Sequence, residues 1–393
     1  MTRAAGNHGP AAAGDAPLLP GARLGVLGGG QLGMMFATAA RRMGYRVDVF
    51  SDVADCPAAR HCDRLHVVRF DDPAALVEAA VGLDALTFEF ENVSAAAASA
   101  LADRTRVRPD PAILHTVQDR GREKAFLVQH GFPVVPHALI RDRGDLEHAA
   151  VRLGLPAVLK TAAFGYDGKG QRRVGSRADL EAAWSDLGPG ELVLEAWVDF
   201  AAELSVVAAR GADGAIAPFA PVHNRHRNHV LDLTTAPAPL PRAVQDEAQR
   251  LAAAILGSLG YVGVGCVEFF LLGDGRLLVN EIAPRPHNSG HLTVEACACS
   301  QFEQQVRAVC GLPLGSPRQL APAAMANLLG DCWAGGEPDW AAALAVPGVS
   351  LTLYGKSAPR PGRTMGHRTA VAAPAAAAEA AVIAARDRAC RRA

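Results

Sequence analysis

The residues best suited to catalysis lie in the segment from Cys266 to His291, CVEFFLLGDGRLLVNEIAPRPHNSGH. Its two apolar runs, joined by Gly-Asp-Gly, predict a β-hairpin. Glu268 lies on the first strand, and Asn280 and Glu281 end the second, so strand pairing would bring two carboxylates and an amide oxygen together. Such hard oxygen ligands suit Mg²⁺ that is held against substrate phosphates. The segment therefore predicts a magnesium site, with a plain solvated hairpin as the alternative.

A polar run follows this predicted hairpin directly and contains Arg285, His287, Asn288, Ser289 and His291. Two prolines and a glycine interrupt the run, which favours an irregular segment over a helix or strand. So many polar groups after a buried strand are unusual for a plain connection. The run is therefore a candidate ligand-binding segment.

A second glycine-rich segment, GYDGKGQ at 165–171, is typical of a hairpin loop because a short apolar strand precedes it and RRV follows. It lacks the Walker A pattern, but its backbone N–H groups can close over phosphates, with Lys169 as a nearby cation. Lys160, which ends the apolar strand, must either reach solvent or bind an anion. Glu195 ends another apolar strand, and Glu203 starts the next. This pattern favours a phosphate site, with a surface hairpin as the alternative.

An N-terminal glycine turn, Gly28–Gly33, fits G-x-G-x-x-G between a predicted strand and helix, and Asp52 lies where a ribose-binding acid would stand. Taken alone, this pattern predicts a dinucleotide-binding dehydrogenase. The pattern is weak because glycines at a strand-to-helix turn serve any anion at a helix N-terminus. No hydride-transfer site is evident downstream.

Three histidines, His223, His226 and His229, have a spacing that suggests a zinc site. A spacing of three places side chains on one face only in a helix, and Pro221 with the neighbouring Asn and Arg residues argues against a helix. A polar loop near a ligand is the favoured interpretation.

The composition is that of a globular chain long enough for two or three domains: 393 residues, half of them hydrophobic, a fifth charged, and a formal net charge of −1. This balance gives no electrostatic case for binding nucleic acid or an anionic membrane. No apolar span approaches the about 18 residues of a transmembrane helix. We expect residues 1–21 to form a disordered leader, because they lack the continuous apolar core of a signal peptide.

Two residue types carry further information. Eight cysteines show no CxxC pair and no repeated spacing, which predicts reduced, buried thiols and a cytoplasmic protein. Only four of the 39 basic residues are lysines: Lys124, Lys160, Lys169 and Lys356. Where arginine is the default cation, a retained lysine marks a candidate place for a compact ammonium group.

The order of the predicted elements indicates an α/β unit followed by α+β structure. Strands at 22–30, 45–50 and 84–90 alternate with helices at 31–43 and from Ser94 onward, which predicts a parallel sheet covered on both faces. The later pattern predicts helices at 112–130, 145–153, 178–186, 243–259 and near 293–310, and strands at 157–160, 191–195 and 203–209. The Ala-rich end, 371–393, fits either a terminal helix or a frayed tail.

Eight pieces of the chain resemble, in this order, the motifs of one enzyme family: LGGGQLG (27–33), EFEN (89–92), DRGREK (119–124), VLK (158–160), GYDGKGQ (165–171), NEIAPRPHNSGH (280–291), SQFEQ (300–304) and YGKSAPRPGR (354–363). They extend over about 22–370. The order resembles the ATP-grasp ligases, and most closely the N5-carboxyaminoimidazole ribonucleotide synthetases of purine biosynthesis. GYDGKGQ together with NEIAPRPHNSGH is highly specific, whereas the glycine turn is not.

The resemblance implies an ATP-grasp fold with these parts: a Rossmann-like pre-ATP-grasp domain at 22–118, an ATP-grasp domain at 119–310 with a lid subdomain at about 125–195 and a larger antiparallel sheet, a small C-terminal domain at 311–372 and an Ala-rich tail at 373–393. It implies that ATP and bicarbonate carboxylate the exocyclic amine of 5-aminoimidazole ribonucleotide through carboxyphosphate. It also implies Mg²⁺ or Mn²⁺ as the metal, a homodimer, and transfer of the product to the N5-carboxyaminoimidazole ribonucleotide mutase.

The resemblance assigns an ATP site whose members would neutralise phosphate, hold the adenine amine or accept ribose hydroxyls: Arg120, Lys160, Gly165, Tyr166, Asp167, Gly168, Lys169, Gly170, Gln171, Glu195, Ala196, Trp197, Val198, Glu203, His226, Asn280 and Glu281. The metal would be held by Glu268, Glu281 and Asn280, which would bridge it to phosphate oxygens.

The resemblance also assigns residues to the ribonucleotide and bicarbonate: Gln31, Leu32, Glu89, Tyr166, Asp167, Arg285, His287, Asn288, Lys356 and Arg363. Asp167 would take a proton from the attacking amine. Arg285 and His287 would hold bicarbonate and stabilise carboxyphosphate. Lys356 and Arg363 would grip the 5′-phosphate or help to organise the site.

Two other functions stay open at this point. Formate-dependent glycinamide ribonucleotide transformylase resembles this chain, but carries Glu at the turn where this chain has Gln31. A non-catalytic ATP-grasp protein that only binds nucleotide is the other alternative, and the intact set of Lys160, Glu268, Asn280 and Glu281 argues against it.

Overall fold

A five-stranded parallel sheet with helices on both faces forms the N-terminal unit of this computed structural model, which describes residues 16–89, 93–163 and 170–390. Its elements are β1 (Arg23–Leu27), α1 (Gln31–Arg42), β2 (Arg46–Ser51), β3 (Arg64–Val67), α2 (Pro73–Ala79), β4 (Ala85–Phe88), α3 (Ala95–Ala102) and β5 (Arg106–Val107), with sheet order β3-β2-β1-β4-β5. One hydrophobic cluster lies under α1 and another under α2 and α3. Parallel strands are buried in this way on both faces, and the predicted parallel sheet is confirmed.

A four-stranded antiparallel sheet forms the second unit. Its elements are α4 (Pro111–Val117), α5 (Arg120–Gln129), β6 (His137–Ile140), α6 (Arg143–Leu153), β7 (Ala157–Thr161), β8 (Gln171–Val174), α7 (Arg177–Leu187) and β9 (Leu192–Ala196), with sheet order β6-β9-β7-β8. The single helix predicted over 112–130 is wrong. Asp119 begins a new helix, because its carboxylate accepts a hydrogen bond from the backbone N–H of Arg122 at 2.9 Å.

A nine-stranded antiparallel sheet runs through the rest of the chain. Its elements are β10 (Phe200–Arg210), β11 (Ile216–Pro218), β12 (Val222–Arg227), β13 (Val230–Ala236), α8 (Arg242–Ser258), β14 (Gly263–Leu272), β15 (Leu277–Ala283), α9 (Thr293–Ala296), α10 (Gln301–Cys310), β16 (Ala323–Leu329), α11 (Trp340–Leu344), β17 (Val349–Leu353), β18 (Thr364–Val371) and α12 (Ala375–Ala389). The sheet order is β15-β14-β10-β12-β13-β16-β18-β17, with β11 beside β10. The last three strands therefore extend the same sheet that carries the predicted metal hairpin.

The described parts of both chain ends pack against the body of the protein, which corrects the leader prediction for residues 16–21 and selects the helix from the two alternatives for the Ala-rich end. Residues 16–21 belong to the predicted disordered leader, yet the backbone N–H of Leu18 donates to the Cys310 carbonyl at 2.8 Å. The hydroxyl of Tyr45 donates to the Leu18 carbonyl at 2.7 Å. In the Ala-rich end, α12 is a helix whose buried side chains pack against β16 and β18, so most of the predicted tail is a packed helix.

The cysteines are only partly as expected. Cys332 and Cys390 form a disulfide between the 3₁₀ turn Gly330–Trp333 and the residue that follows α12, so the prediction of reduced thiols is wrong for this pair. The other six cysteines are free, and four of them are buried. No helix in the described residues is both long and apolar enough to cross a bilayer.

Candidate active site

The predicted hairpin is present as β14 and β15, and its register places Glu268 directly opposite Glu281. The next pair is Phe269 with Val279, so Asn280 is the extra residue of a β-bulge. The strand neighbours of Glu268 are buried in the core, and strand side chains alternate, so Glu268 faces the opposite side of the sheet. The two carboxylates predicted to bind metal are therefore cross-strand neighbours.

Each of these carboxylates is paired with a base from another segment. His287 Nε2 lies 2.9 Å from Glu268 Oε1, and Arg120 Nη1 lies 3.1 Å from Glu281 Oε2. Arg120 is the first residue of α5, whereas His287 follows β15 in the polar run. The structure thus brings together residues predicted for the metal, the ATP and the bicarbonate.

Glu195, on β9, is buried between two lysines. Lys160 Nζ, on the neighbouring β7, lies 2.5 Å from Glu195 Oε2, and Lys124 Nζ lies 3.0 Å from Glu195 Oε1. Burial by itself raises the pKa of a carboxyl group, but the two ammonium groups hold the pKa of Glu195 well below its usual range. The anion that Lys160 was predicted to need is supplied by the protein itself.

Glu203 and His226 form a further pair, which joins β10 to β12 through Glu203 Oε2 and His226 Nδ1. Burial lowers the pKa of His226, but Glu203 and Glu268 act against it, and the net effect is a raised pKa. His223 and His226 lie three positions apart on one strand, so their side chains point to opposite faces. This geometry argues against the zinc interpretation, and the described residues hold no cluster of three or more His, Cys, Asp or Glu arranged for a metal.

The charges of the hairpin groups follow from these contacts. Burial raises the pKa of the Glu281 carboxyl, but Arg120 and Lys160 outweigh it, so the net shift is downward. Burial favours the neutral ring of His287, but its contacts with Cys266 and Glu268 raise its pKa well above 6.5. The raised pKa favours the protonated form of His287, which pairs with the Glu268 carboxylate.

One face of α5 is tied to β15 by two residues that the sequence prediction did not assign to the site. Lys124 Nζ donates to the Asn280 carbonyl at 3.0 Å, and the Glu123 carboxylate accepts from the backbone N–H of Ile282. Burial raises the pKa of Glu123 to about 8. Both residues lie within the DRGREK motif at 119–124, and the rarity of lysine in this chain was a further signal for Lys124.

The N-terminal glycine turn binds a carboxylate of the chain itself. Glu89, which follows β4, accepts hydrogen bonds from the backbone N–H groups of Gly30 and Gly33 at the start of α1. A Cβ at Gly28, whose φ is +116°, would lie 2.2 Å from Glu89 Cγ. Because a carboxyl group of the chain itself already occupies the helix N-terminus, the geometry argues against the dinucleotide interpretation.

Glu89 also lies among the residues predicted to bind the ribonucleotide. Burial raises its pKa, and the N–H groups of Gly33 and Gly30 act in the opposite direction. The positive charges of Arg285 and Lys356 act in that direction too. Residues from the first sheet, the polar run and the C-terminal segment therefore share one electrostatic environment.

The remaining residues predicted for this group differ in their placement. Gln31 is half-buried at the start of α1, with Leu32 buried beside it. The buried Oδ1 of Asn288 has no hydrogen-bond partner in the described part of the chain, which suits an acceptor for a ligand. Arg363 is exposed, and its Nη1 donates to the Ala358 carbonyl at 2.9 Å. No described contact joins Arg363 to the other members of the group.

Part of the predicted lid loop lies outside the described residues: Gly165, Tyr166, Asp167, Gly168 and Lys169. Its flanks are in place, because β7 pairs with β8 and sets Lys160 opposite Gln171. The backbone N–H of Thr161 donates to the Gly170 carbonyl at 2.8 Å. At the other edge of the lid, Glu195 is followed by the predicted adenine-binding segment Ala196, Trp197 and Val198, in which Trp197 is exposed.

The donor set fits Mg²⁺ and ATP. Glu268, Glu281 and Asn280 supply oxygen ligands, and Arg120 and Lys160 supply the positive charge that phosphates require. In the structure, Arg120 is paired with Glu281 and Lys160 is paired with Glu195. Binding of a magnesium nucleotide would therefore be an exchange of partners within a charge-balanced site.

Three family models match consecutive parts of the chain: a ribonucleotide synthetase preATP-grasp domain at 22–118, an ATP-grasp domain at 125–302 and a phosphoribosylaminoimidazole carboxylase C-terminal domain at 323–381. The N5-carboxyaminoimidazole ribonucleotide synthase of Brucella melitensis is 44% identical over 356 residues, which cover 90% of this chain and 97% of that protein. The synthase of Bacillus subtilis is 42% identical over 352 residues, with 90% and 92% covered.

Solved structures agree with these matches. A structure of the ADP complex of an N5-carboxyaminoimidazole ribonucleotide synthetase has a TM-score of 0.90 and 36% identity, and covers 94% of this chain and 97% of that chain. The Aspergillus clavatus synthase in complex with ADP and 5-aminoimidazole ribonucleotide has a TM-score of 0.84 and 32% identity, with 94% and 99% covered. The chain therefore belongs to the family of N5-carboxyaminoimidazole ribonucleotide synthases, which are ATP-grasp ligases.

Proposed function

We propose that this chain uses ATP and bicarbonate to carboxylate the exocyclic amine of 5-aminoimidazole ribonucleotide, releasing ADP and phosphate. Family membership supports this reaction, and the observation that carries it is the contact between His287 and Glu268. This contact supports a site in which the proposed nucleotide end lies next to the proposed acceptor end. Activation of bicarbonate by phosphoryl transfer requires such adjacency, because the activated group must reach the amine before water does.

At the nucleotide end, Arg120 and Lys160 would turn from their carboxylates to phosphate oxygens, while Lys124 would keep Glu195 neutralised. Mg²⁺ neutralises phosphate charge in such transfers, and the oxygen donors of the hairpin would hold it. A bicarbonate oxygen attacks the γ-phosphorus, the bond from that phosphorus to the ADP oxygen breaks, and carboxyphosphate forms.

At the acceptor end, Arg285 and His287 would hold bicarbonate and stabilise the charge of carboxyphosphate. The ribonucleotide amine then bonds to the carboxyl carbon, phosphate leaves, and the amine gives up a proton. Asp167 is the proposed acceptor of that proton. Lys356 would bind the ribonucleotide phosphate, and Arg363 would join it by movement of its exposed loop.

The assembly and pathway context are part of the same proposal. The family resemblance supports a homodimer, a cytoplasmic location and transfer of the product to the N5-carboxyaminoimidazole ribonucleotide mutase. It also supports Mg²⁺ as the metal, with Mn²⁺ as a substitute of the same ligand preference.

The test is phosphate release from ATP and Mg²⁺ by the purified chain, with ribonucleotide and bicarbonate added separately and together. We expect release to depend on both, with a carboxylated ribonucleotide detected by mass spectrometry. Release that instead requires glycinamide ribonucleotide and formate would reassign the chain to the transformylase. Calorimetric binding of nucleotide without any product would make it a non-catalytic binding protein.

A further inference from the structure

Helix α10 buries three glutamines, Gln301, Gln304 and Gln305, each no more than 1% exposed. The buried stripe of a helix is ordinarily apolar, and a buried amide is costly unless its donor and acceptor atoms are both bonded. Each of these glutamines uses both ends of its amide. The partners of two of the three lie close in sequence to the candidate active-site residues.

Gln305 joins two different sheets. Its Nε2 donates to the hydroxyl of Thr87 on β4 at 2.7 Å, and its Oε1 accepts from the backbone N–H of Val264 on β14. Thr87 lies two residues before Glu89, and Val264 lies four residues before Glu268. One side chain therefore bridges the strand that leads to the predicted acceptor-site acid and the strand that carries the predicted metal-site acid.

Gln301 holds the segment that connects the two ends of the site. Its Nε2 donates to the His287 carbonyl at 2.8 Å, and its Oε1 accepts from the His287 backbone N–H at 2.9 Å. This two-point contact resembles a pair of strand hydrogen bonds and fixes the main chain of His287. Gln301 Nε2 also lies 3.2 Å from Nδ1 of the buried His291.

We infer that Gln301 and Gln305 are positioning residues for the carboxylation, an inference that rests on the proposed function. Both amides are bonded at each end to groups of the protein itself. Gln305 ties the strand that leads to Glu89 to the strand that carries Glu268, and Gln301 holds the main chain of His287, which contacts Glu268. These contacts would help to bring the amine and the activated carboxyl group to bonding distance. Loss of either amide is expected to uncouple phosphate release from carboxylation, which lowers the ratio of carboxylated product to phosphate. The effect on nucleotide binding should be smaller.

Gln304 is a matched control on the same helix. Its Nε2 donates to the Gly315 carbonyl at 2.7 Å, and its Oε1 accepts from the Gly315 N–H at 2.8 Å. Gln304 therefore matches the other two glutamines in its burial, in its helix and in the hydrogen bonding of both ends of its amide. Gly315 lies in the connection between α10 and β16, and no described contact joins it to the site residues.

The experiment compares Gln301→Met, Gln304→Met and Gln305→Met, which preserve side-chain length and remove the amide. Each variant is measured for its thermal midpoint, its kcat, its KM for the ribonucleotide and for ATP, and its ratio of carboxylated product to phosphate. We expect similar losses of thermal midpoint in all three. The product ratio or kcat/KM for the ribonucleotide should fall by about tenfold or more only in Gln301→Met and Gln305→Met, since misplacement by about 1 Å costs as much as a hundredfold.

Thr87→Val is a less disruptive variant that tests the same bond in case Gln305→Met does not fold. Thr87→Val removes only the hydroxyl that Gln305 bonds, and the double variant with Gln305→Met should be no worse than Gln305→Met alone if the bond is the cause. Equal product ratios in the Gln304, Gln301 and Gln305 variants, or additive losses in the double variant, would overturn the inference. Wild-type protein that lacks ribonucleotide-dependent phosphate release would instead overturn the proposed function.

Discussion

His287 Nε2 lies 2.9 Å from Glu268 Oε1, where the predicted metal hairpin meets the predicted bicarbonate segment. Glu268 faces Glu281 across the hairpin, while His287 follows Arg285, whose charge acts on Glu89. A buried carboxylate is costly unless a base compensates it. The contact therefore gives the Glu268 carboxylate a basic partner and joins the two predicted halves of the site.

Glu281→Gln should abolish turnover and leave the fold intact. The change removes a predicted metal ligand and the partner of Arg120, but adds no volume to a core that lies on the other side of the strand. Loss of one such electrostatic group costs about a hundredfold or more in kcat. Steady-state phosphate release and circular dichroism check both parts. Glu247→Gln, which breaks the exposed pair with Arg250 on α8, is the control and should be fully active.

His287 should make stability depend on pH in a defined direction. Its folded pKa is raised well above 6.5, so the charged ring stabilises the fold fully below the unfolded pKa, and this contribution is lost as pH rises through the raised value. The difference in unfolding free energy between wild type and His287→Asn should thus be larger at about pH 6 than at about pH 9. Denaturant titrations without metal or nucleotide measure it. His148→Asn, on the exposed side of α6, should show no such trend, and a difference that grows with pH would contradict the assignment.

Lys124→Met should destabilise the protein by about 3 kcal/mol, the usual cost of removing one partner from a buried ion pair. The change leaves Glu195 with Lys160 as its remaining lysine partner and removes the bond to the Asn280 carbonyl. Lys160 is then less free to bind phosphate, so KM for ATP should also rise. Urea titration and ATP kinetics measure the two effects. Arg242→Met, which breaks an exposed pair with Asp246, should cost under about 1 kcal/mol; equal losses would show that burial of Lys124 is energetically unimportant.

Gly28→Ala should damage the acceptor end of the site through Glu89. Gly28 has φ +116°, and its added Cβ would meet the Glu89 side chain at 2.2 Å. Gly21 has φ +98° with nothing within 4 Å of the added atom, so Gly21→Ala is a control for backbone strain alone. Strain of this kind costs about 1–3 kcal/mol in both variants. KM for the ribonucleotide should rise only in Gly28→Ala. An equal rise in both variants would show that Glu89 does not take part in substrate binding.

Local pattern was sufficient for the elements that carry the chemistry. Two apolar runs joined by Gly-Asp-Gly predicted β14 and β15, and the glycine turn predicted the junction of β1 and α1. Prediction from the local pattern failed where a single side chain determined the residue at which a helix begins. The carboxylate of Asp119 caps α5 and divides a segment whose periodicity continues without a break, and Ser300 caps α10 in the same way.

The sequence by itself determined the fold family and predicted which residues bind metal, phosphate and bicarbonate, because these predictions depend on residue type and on spacing within short segments. Only the tertiary structure decided which acid meets which base. Arg120 reaches Glu281 across 161 positions, and Gln305 reaches Thr87 across 218. Such pairs depend on how separate sheets dock, which no local periodicity encodes. The same docking places the Glu89 carboxyl group at the glycine turn.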